Sequence, residues 1–168
     1  MKCRLVKLSN LSGNAASVYS ILLNDAQKTL FEIFIEENIN LFLSEIKDIT
    51  VRLKTIGQKT GARETFFKHF EGKPGDGVCA LYDLPDKSLR LYCIRYGSQI
   101  VILGGGGPKK VRALQDNNKL TEENYFLRWL SSQITERLKS KEITFTKDGL
   151  DFYGNLEFND DEEESRNS

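Results

Sequence analysis

Residues 77–112, GVCALYDLPDKSLRLYCIRYGSQIVILGGGGPKKVR, decide the fold. Three apolar-rich runs are separated by two turn signals, Leu84-Pro85-Asp86-Lys87 and Gly97-Ser98. Runs of this length joined by such turns predict hairpin after hairpin, a three-stranded antiparallel meander. The middle run alternates. Leu89, Leu91 and Cys93, with Arg95 as a candidate fourth, face one way, and Arg90, Tyr92, Ile94 and Tyr96 face the other. The third run, 99–103, is nearly continuous hydrophobe, as in a strand covered on both faces. It then breaks into four glycines, a proline and two lysines.

Upstream, residues 2–8 and 17–23 read as two strands. Asp25 is a candidate helix cap. From 26 to about 40, Leu30, Phe31, Phe34, Ile35 and Ile39 recur three and four apart, which predicts an amphipathic helix. Leu43, Ile46, Ile49, Val51, Leu53 and Ile56 repeat the pattern up to Gly57. Phe66, Phe67 and Phe70 are core anchors, with Lys68 and His69 turned away. Downstream, Thr121 with Glu122 and Glu123 predicts the cap of a further helix, whose stripe is Phe126, Leu130, Ile134 and Leu138, widened by Trp129. Residues 143–146 and 150–158 predict a short hairpin around Lys147-Asp148-Gly149.

This order predicts an α+β domain. An antiparallel sheet, two N-terminal strands plus the meander, packs against N-terminal helices and a C-terminal helix. Residues 1–158 form one domain with a short β extension, and 159–168, without an apolar residue, form an acidic disordered tail.

The formal net charge of zero conceals an asymmetry. Residues 151–168 hold seven acids and one base, leaving 23 bases and 17 acids in residues 1–150. A basic binding face beside an acidic tail is one reading of this, and a tail that only aids solubility is the other. No apolar run approaches the ~18 residues of a membrane span, and residues 1–4 open no signal peptide. The expected setting is cytoplasmic, without membrane association. Cys3, Cys79 and Cys93 fall in predicted strands without ligand-like spacing and read as buried reduced thiols, and no metal or cofactor is expected.

Between Lys87 and Lys119 the bases are Lys87, Arg90, Arg95, Lys109, Lys110, Arg112 and Lys119, and the acid is Asp116. Tyr82, Tyr92 and Tyr96 are interleaved with them. Cations beside rings on a sheet suit single-stranded RNA, the cations taking phosphates and the rings stacking on bases. The alternative is that Tyr92 and Tyr96 are core with their hydroxyls at the rim, and Arg90 pairs with a carboxylate on a helix. Gly104–Gly107 with Lys109 and Lys110 departs from a phosphate loop, because Pro108 precedes the lysines and Val111 stands where a hydroxyl is needed. A bend at the end of a buried strand and a phosphate-holding loop both remain open. His69, the lone histidine, lacks companions for a metal site or a nucleophilic triad.

The chain resembles the RelE/ParE superfamily of type II toxin–antitoxin toxins, its HigB-like branch in particular. Leu81-Tyr82-Asp83-Leu84 resembles that family's first meander strand, Leu89-Arg90-Leu91-Tyr92 its second, and Ile100-Val101-Ile102-Leu103 followed by Gly107-Pro108-Lys109-Lys110 its third with the trailing lysines. The resemblance covers about residues 26–112. It implies a RelE-like fold and metal-independent mRNA endoribonuclease activity associated with the ribosome. It also implies neutralisation by an antitoxin, a small DNA-binding protein. On it, Arg90, Lys109 and Lys110 are the catalytic candidates: Arg90 contacts the scissile phosphate, and the lysines hold it or the neighbouring backbone. Tyr82, Tyr92, Arg95, Tyr96 and Arg112 are the RNA-binding candidates. A non-catalytic RelE-like module that binds RNA or protein is the alternative.

Overall fold

A computed structural model describes residues 1–69, 72, 75–81, 83, 87–110 and 114–160. Its elements are β1 (Lys2–Lys7), β2 (Ser17–Leu23), α1 (Leu30–Asn38), α2 (Leu43–Thr55), β3 (Phe67–Lys68), β4 (Val78–Leu81), β5 (Leu89–Tyr96), β6 (Ile100–Pro108), α3 (Leu114–Ser140), β7 (Ile143–Phe145), β8 (Phe152–Gly154) and β9 (Glu157–Asn159). A five-residue π-turn, Ile56–Thr60, closes α2, and a 3-10 turn, Glu64–Phe66, precedes β3.

The fold is α+β, with a mixed, mostly antiparallel sheet in the order β3-β4-β5-β6-β2-β1-β9. The predicted meander is there as β4-β5-β6, with Cys79 opposite Cys93 and Ile94 opposite Ile102. One expectation is corrected: the two N-terminal strands do not extend an all-antiparallel sheet. β2 lies parallel to β6, with Ser17 opposite Ile100. A parallel neighbour needs a long crossover, and α1 and α2 lie within it. Buried Ser20 stitches the join, its Oγ donating to the Leu103 carbonyl (2.8 Å) and accepting from the Phe31 N–H (3.2 Å).

Apolar alternation gives the sheet two covered faces. Under α1 and α2 lie Leu89, Leu91, Cys93, Val101 and Leu103 against Phe31, Phe34, Ile49 and Leu53. Under α3 and the β7–β8 hairpin lie Tyr92, Ile94, Ile100 and Ile102 against Leu127, Leu130 and Ile134. Burying each such aliphatic side chain contributes about 1.5–3 kcal/mol. The third run of the meander is covered on both sides, as its unbroken hydrophobicity predicts. All three cysteines are buried free thiols.

Helix starts differ from the sequence reading. Asp25 is exposed in a turn, and Thr29 caps α1 in a capping box: its hydroxyl accepts from the Glu32 N–H, while the Glu32 carboxylate accepts from the Thr29 N–H. The Thr-x-x-Glu pattern satisfies two orphan donors, which a lone aspartate four residues upstream of Thr29 cannot do. Thr121 is an exposed mid-helix residue, since α3 begins at Leu114. Val51, expected in the α2 stripe, is 62% exposed, and the fully buried Leu127 belongs in the stripe of α3.

The predicted terminal hairpin forms as β7–β8, but β9 leaves it to pair with β1, Phe158 opposite Cys3. Asn159 is therefore a sheet residue, and the Asp160 carboxylate meets the Met1 ammonium at 2.7 Å. The rest of the expected tail, 161–168, lies outside the described residues, as do Phe70 and the Leu84-Pro85-Asp86 turn.

Candidate functional site

The glycine run is part of β6, neither a bend beyond a strand nor a phosphate loop. Leu91 faces Gly106 and Cys93 faces Leu103, so Gly104 and Gly105 together oppose Tyr92 as a β-bulge. α3 lies on this bulge. A Cβ at Gly104 would stand 2.7 Å from Leu127 Cδ1, one at Gly105 2.5 Å from Glu123 Oε2, and one at Gly107 3.6 Å from the Lys119 stem. Lys119, Glu123 and Leu127 are four residues apart and form one line along the helix. The glycines are thus a bare track on which α3 rides close to the sheet. Burial raises the pKa of Glu123, opposed by Lys119 and by a hydrogen bond from the Gly105 backbone, and reinforced by Glu37. Lys119 in turn reaches Glu37 of α1 at 2.8 Å, tying the two helices over the end of β6.

Beside that track lies a corner of charge. Asp83 is 5% exposed, and three cations meet its carboxylate: Lys109 at 2.7 Å, Lys68 at 3.3 Å and Arg90 at 3.6 Å. They come from β3, β5 and the residue after β6, brought to one place because the strands are neighbours. Burial pushes the Asp83 pKa up, but the Lys109 hydrogen bond, the Arg90 and Lys109 charges and the Lys68 contact outweigh it and hold it below the ordinary 3.8. Three cations thus gather on one carboxylate, on side chains about 20–38% exposed. Such a corner is suited to an oxyanion such as a phosphodiester.

Among the described candidates, the structure brings Arg90 and Lys109 onto one carboxylate and sets Tyr92, Tyr96 and Arg95 apart from it. Lys110 is exposed next to Lys109. Tyr92 is 5% exposed in the core beneath α3, so its ring packs instead of presenting a face. Tyr96 wedges against Phe152 and Phe145, with centroids 5.3 and 6.3 Å away. Burial pushes the Tyr96 hydroxyl pKa well up, partly offset by a hydrogen bond with Ser131. Arg95, on the opposite face from Arg90, donates from Nε to the Ala62 carbonyl at 2.7 Å. Tyr82 and Arg112 lie outside the described residues. The core alternative raised for Tyr92 holds, as does the carboxylate partner raised for Arg90, although that carboxylate belongs to a strand end and not to a helix.

Sequence reasoning missed Asp83 as the centre of the cluster, Lys68 as its third cation, and Glu123 and Lys119 as the groups over the glycines. A signal existed for Asp83, one of two acids, with Asp86, between the first two apolar runs. None existed for Lys68, whose two-residue strand is set by its pairing with Ala80. Among the described residues, no three His, Cys, Asp or Glu side chains gather to hold a metal ion, and no helix is long and apolar enough to cross a membrane. In comparisons with protein families, curated proteins and solved structures, the chain matches none.

Proposed function

We propose that the protein is a RelE-type toxin that cleaves mRNA without a metal, with the Arg90–Lys109 corner as its phosphate site. The observation that carries this reading is the convergence of Lys68, Arg90 and Lys109 on Asp83. Attack of a ribose 2′-hydroxyl on the neighbouring phosphate gives up the hydroxyl proton, forms the 2′-O–P bond, builds charge on the phosphorane oxygens and breaks the P–O5′ bond, leaving a 2′,3′-cyclic phosphate and a 5′-oxygen that takes up a proton. Guanidinium and ammonium groups held by a rigid sheet stabilise that charge without reorganising. Asp83 keeps the cations extended and aligned between turnovers. Ribosome association and an antitoxin covering this face belong to the same proposal.

A second reading, an RNA- or protein-binding module without catalysis, is favoured by one observation: Tyr92 is buried under α3, so its ring is not offered to a base.

Growth on induced expression separates the two. The native chain arrests growth on the first reading, and Arg90→Ala and the double variant Lys109→Ala/Lys110→Ala do not, while circular dichroism shows that they remain folded. Arg90→Lys, which keeps the charge, retains part of the arrest. No arrest by the native chain at confirmed soluble expression moves the conclusion to the binding module.

A further inference from the structure

With Tyr92 buried and Tyr96 half-buried, the exposed rings among the described residues lie elsewhere. On the flank of α3, Tyr125, Arg128 and Trp129 line an open cavity of about 550 Å³ together with Asp76 and Glu136. Tyr125 is 60% exposed, and the Arg128 guanidinium lies 5.3 Å from its ring centroid. Trp129, the single tryptophan of the chain, is braced by Phe126 at 5.9 Å. The floor is fixed: buried Ser131 donates to the Asp76 carbonyl, and the Asp76 carboxylate accepts the Val78 N–H at 2.9 Å.

We propose that this cavity takes one unpaired nucleobase of single-stranded RNA. Two rings and a guanidinium plane offer the stacking surface that such bases use. Exposed Glu136, paired with Lys139 at 3.7 Å, offers an acceptor to a group that donates hydrogen bonds, as the exocyclic amine of cytosine does to glutamate. The occupant is therefore an amino-bearing base, cytosine, adenine or guanine, in preference to uracil. Lys119, whose stem lies over Gly107 opposite Arg90, is ten residues from Trp129 along α3. At 1.5 Å per residue the cavity lies ~15 Å along the helix from the level of the phosphate corner. This inference rests on the RNA reading of that corner and gives it a selectivity element.

The test is Trp129 fluorescence of the full chain titrated with cytidine, adenosine, guanosine and uridine, with ribose 5-phosphate as the base-free control. Saturable quenching by the first three is expected, with uridine at least 5-fold weaker and ribose 5-phosphate silent. Tyr125→Ala and Arg128→Ala should each weaken cytidine binding by about 10-fold, the scale of losing one stacking partner. Both side chains lie on the rim of the cavity, so folding is retained. Arg90→Ala should leave nucleoside quenching intact and weaken only oligonucleotides. Growth arrest without nucleoside quenching overturns the cavity assignment and leaves the toxin reading standing. Nucleoside quenching without arrest does the reverse. Equal response to ribose 5-phosphate, or no change in Tyr125→Ala, also overturns the assignment.

Discussion

The Cβ that Gly106 lacks would stand 1.9 Å from the carbonyl oxygen of Arg90. That is backbone on backbone, so nothing flexible can give way. Gly106→Ala should therefore cost about 1–3 kcal/mol or more through forced strand separation. Gly107→Ala meets only the Lys119 stem at ordinary contact distance and should cost well under 1 kcal/mol. Urea titrations of the two variants check this, and equal midpoints would remove the close-approach explanation for the run.

Asp83→Asn should destabilise the fold by about 1–3 kcal/mol, the scale of hydrogen bonds to charged groups, because it leaves three cations facing one another. The pH dependence has a definite sign. The folded pKa of Asp83 lies below 3.8, so its stabilising contribution is complete above about pH 4 and is lost as pH falls through the lower folded value. Thermal melts from pH 7 to pH 2 should show the native chain and Asp83→Asn converging at the acid end. A constant difference between them would contradict the assignment.

Glu123 has the opposite sign. Its pKa is raised, chiefly by burial against the glycine track, so its contribution is full below the ordinary 4.5 and is lost as pH rises through the folded value. At pH 7 the buried charge is a cost. Glu123→Gln should melt higher than the native chain at pH 7 and equally at pH 3. A lower melting temperature at pH 7 would mean that pairing with Lys119 outweighs desolvation.

The legible part of the fold was local. Alternation in β5, the unbroken β6 run and the spacing in α1 each report a neighbour on the same or the next strand or turn, and each matches the structure. Tyr92 shows the limit. Alternation gives its face, but what covers that face depends on α3, whose start at Leu114 was masked by the cap-like Thr121-Glu122-Glu123. Likewise, Arg90 and Lys109 were legible as cations but not as partners of one carboxylate, because their meeting depends on strand register. The glycine run was ambiguous for the same reason. Glycine marks a close approach without saying whether a ligand or a helix approaches.

The parallel ladder between β2 and β6 also sets an order of events. Hairpins β1–β2 and β4–β5–β6 close over short loops, whereas Ser20 and Leu103 are 83 residues apart. Loop-closure entropy makes that contact the slowest to be rewarded. The sheet is then two independently nucleated halves whose docking is the late step of folding. Val18→Ala, at the seam, should chiefly speed unfolding, and Ile94→Val, inside the meander, should chiefly slow folding, as read from the two arms of a stopped-flow chevron.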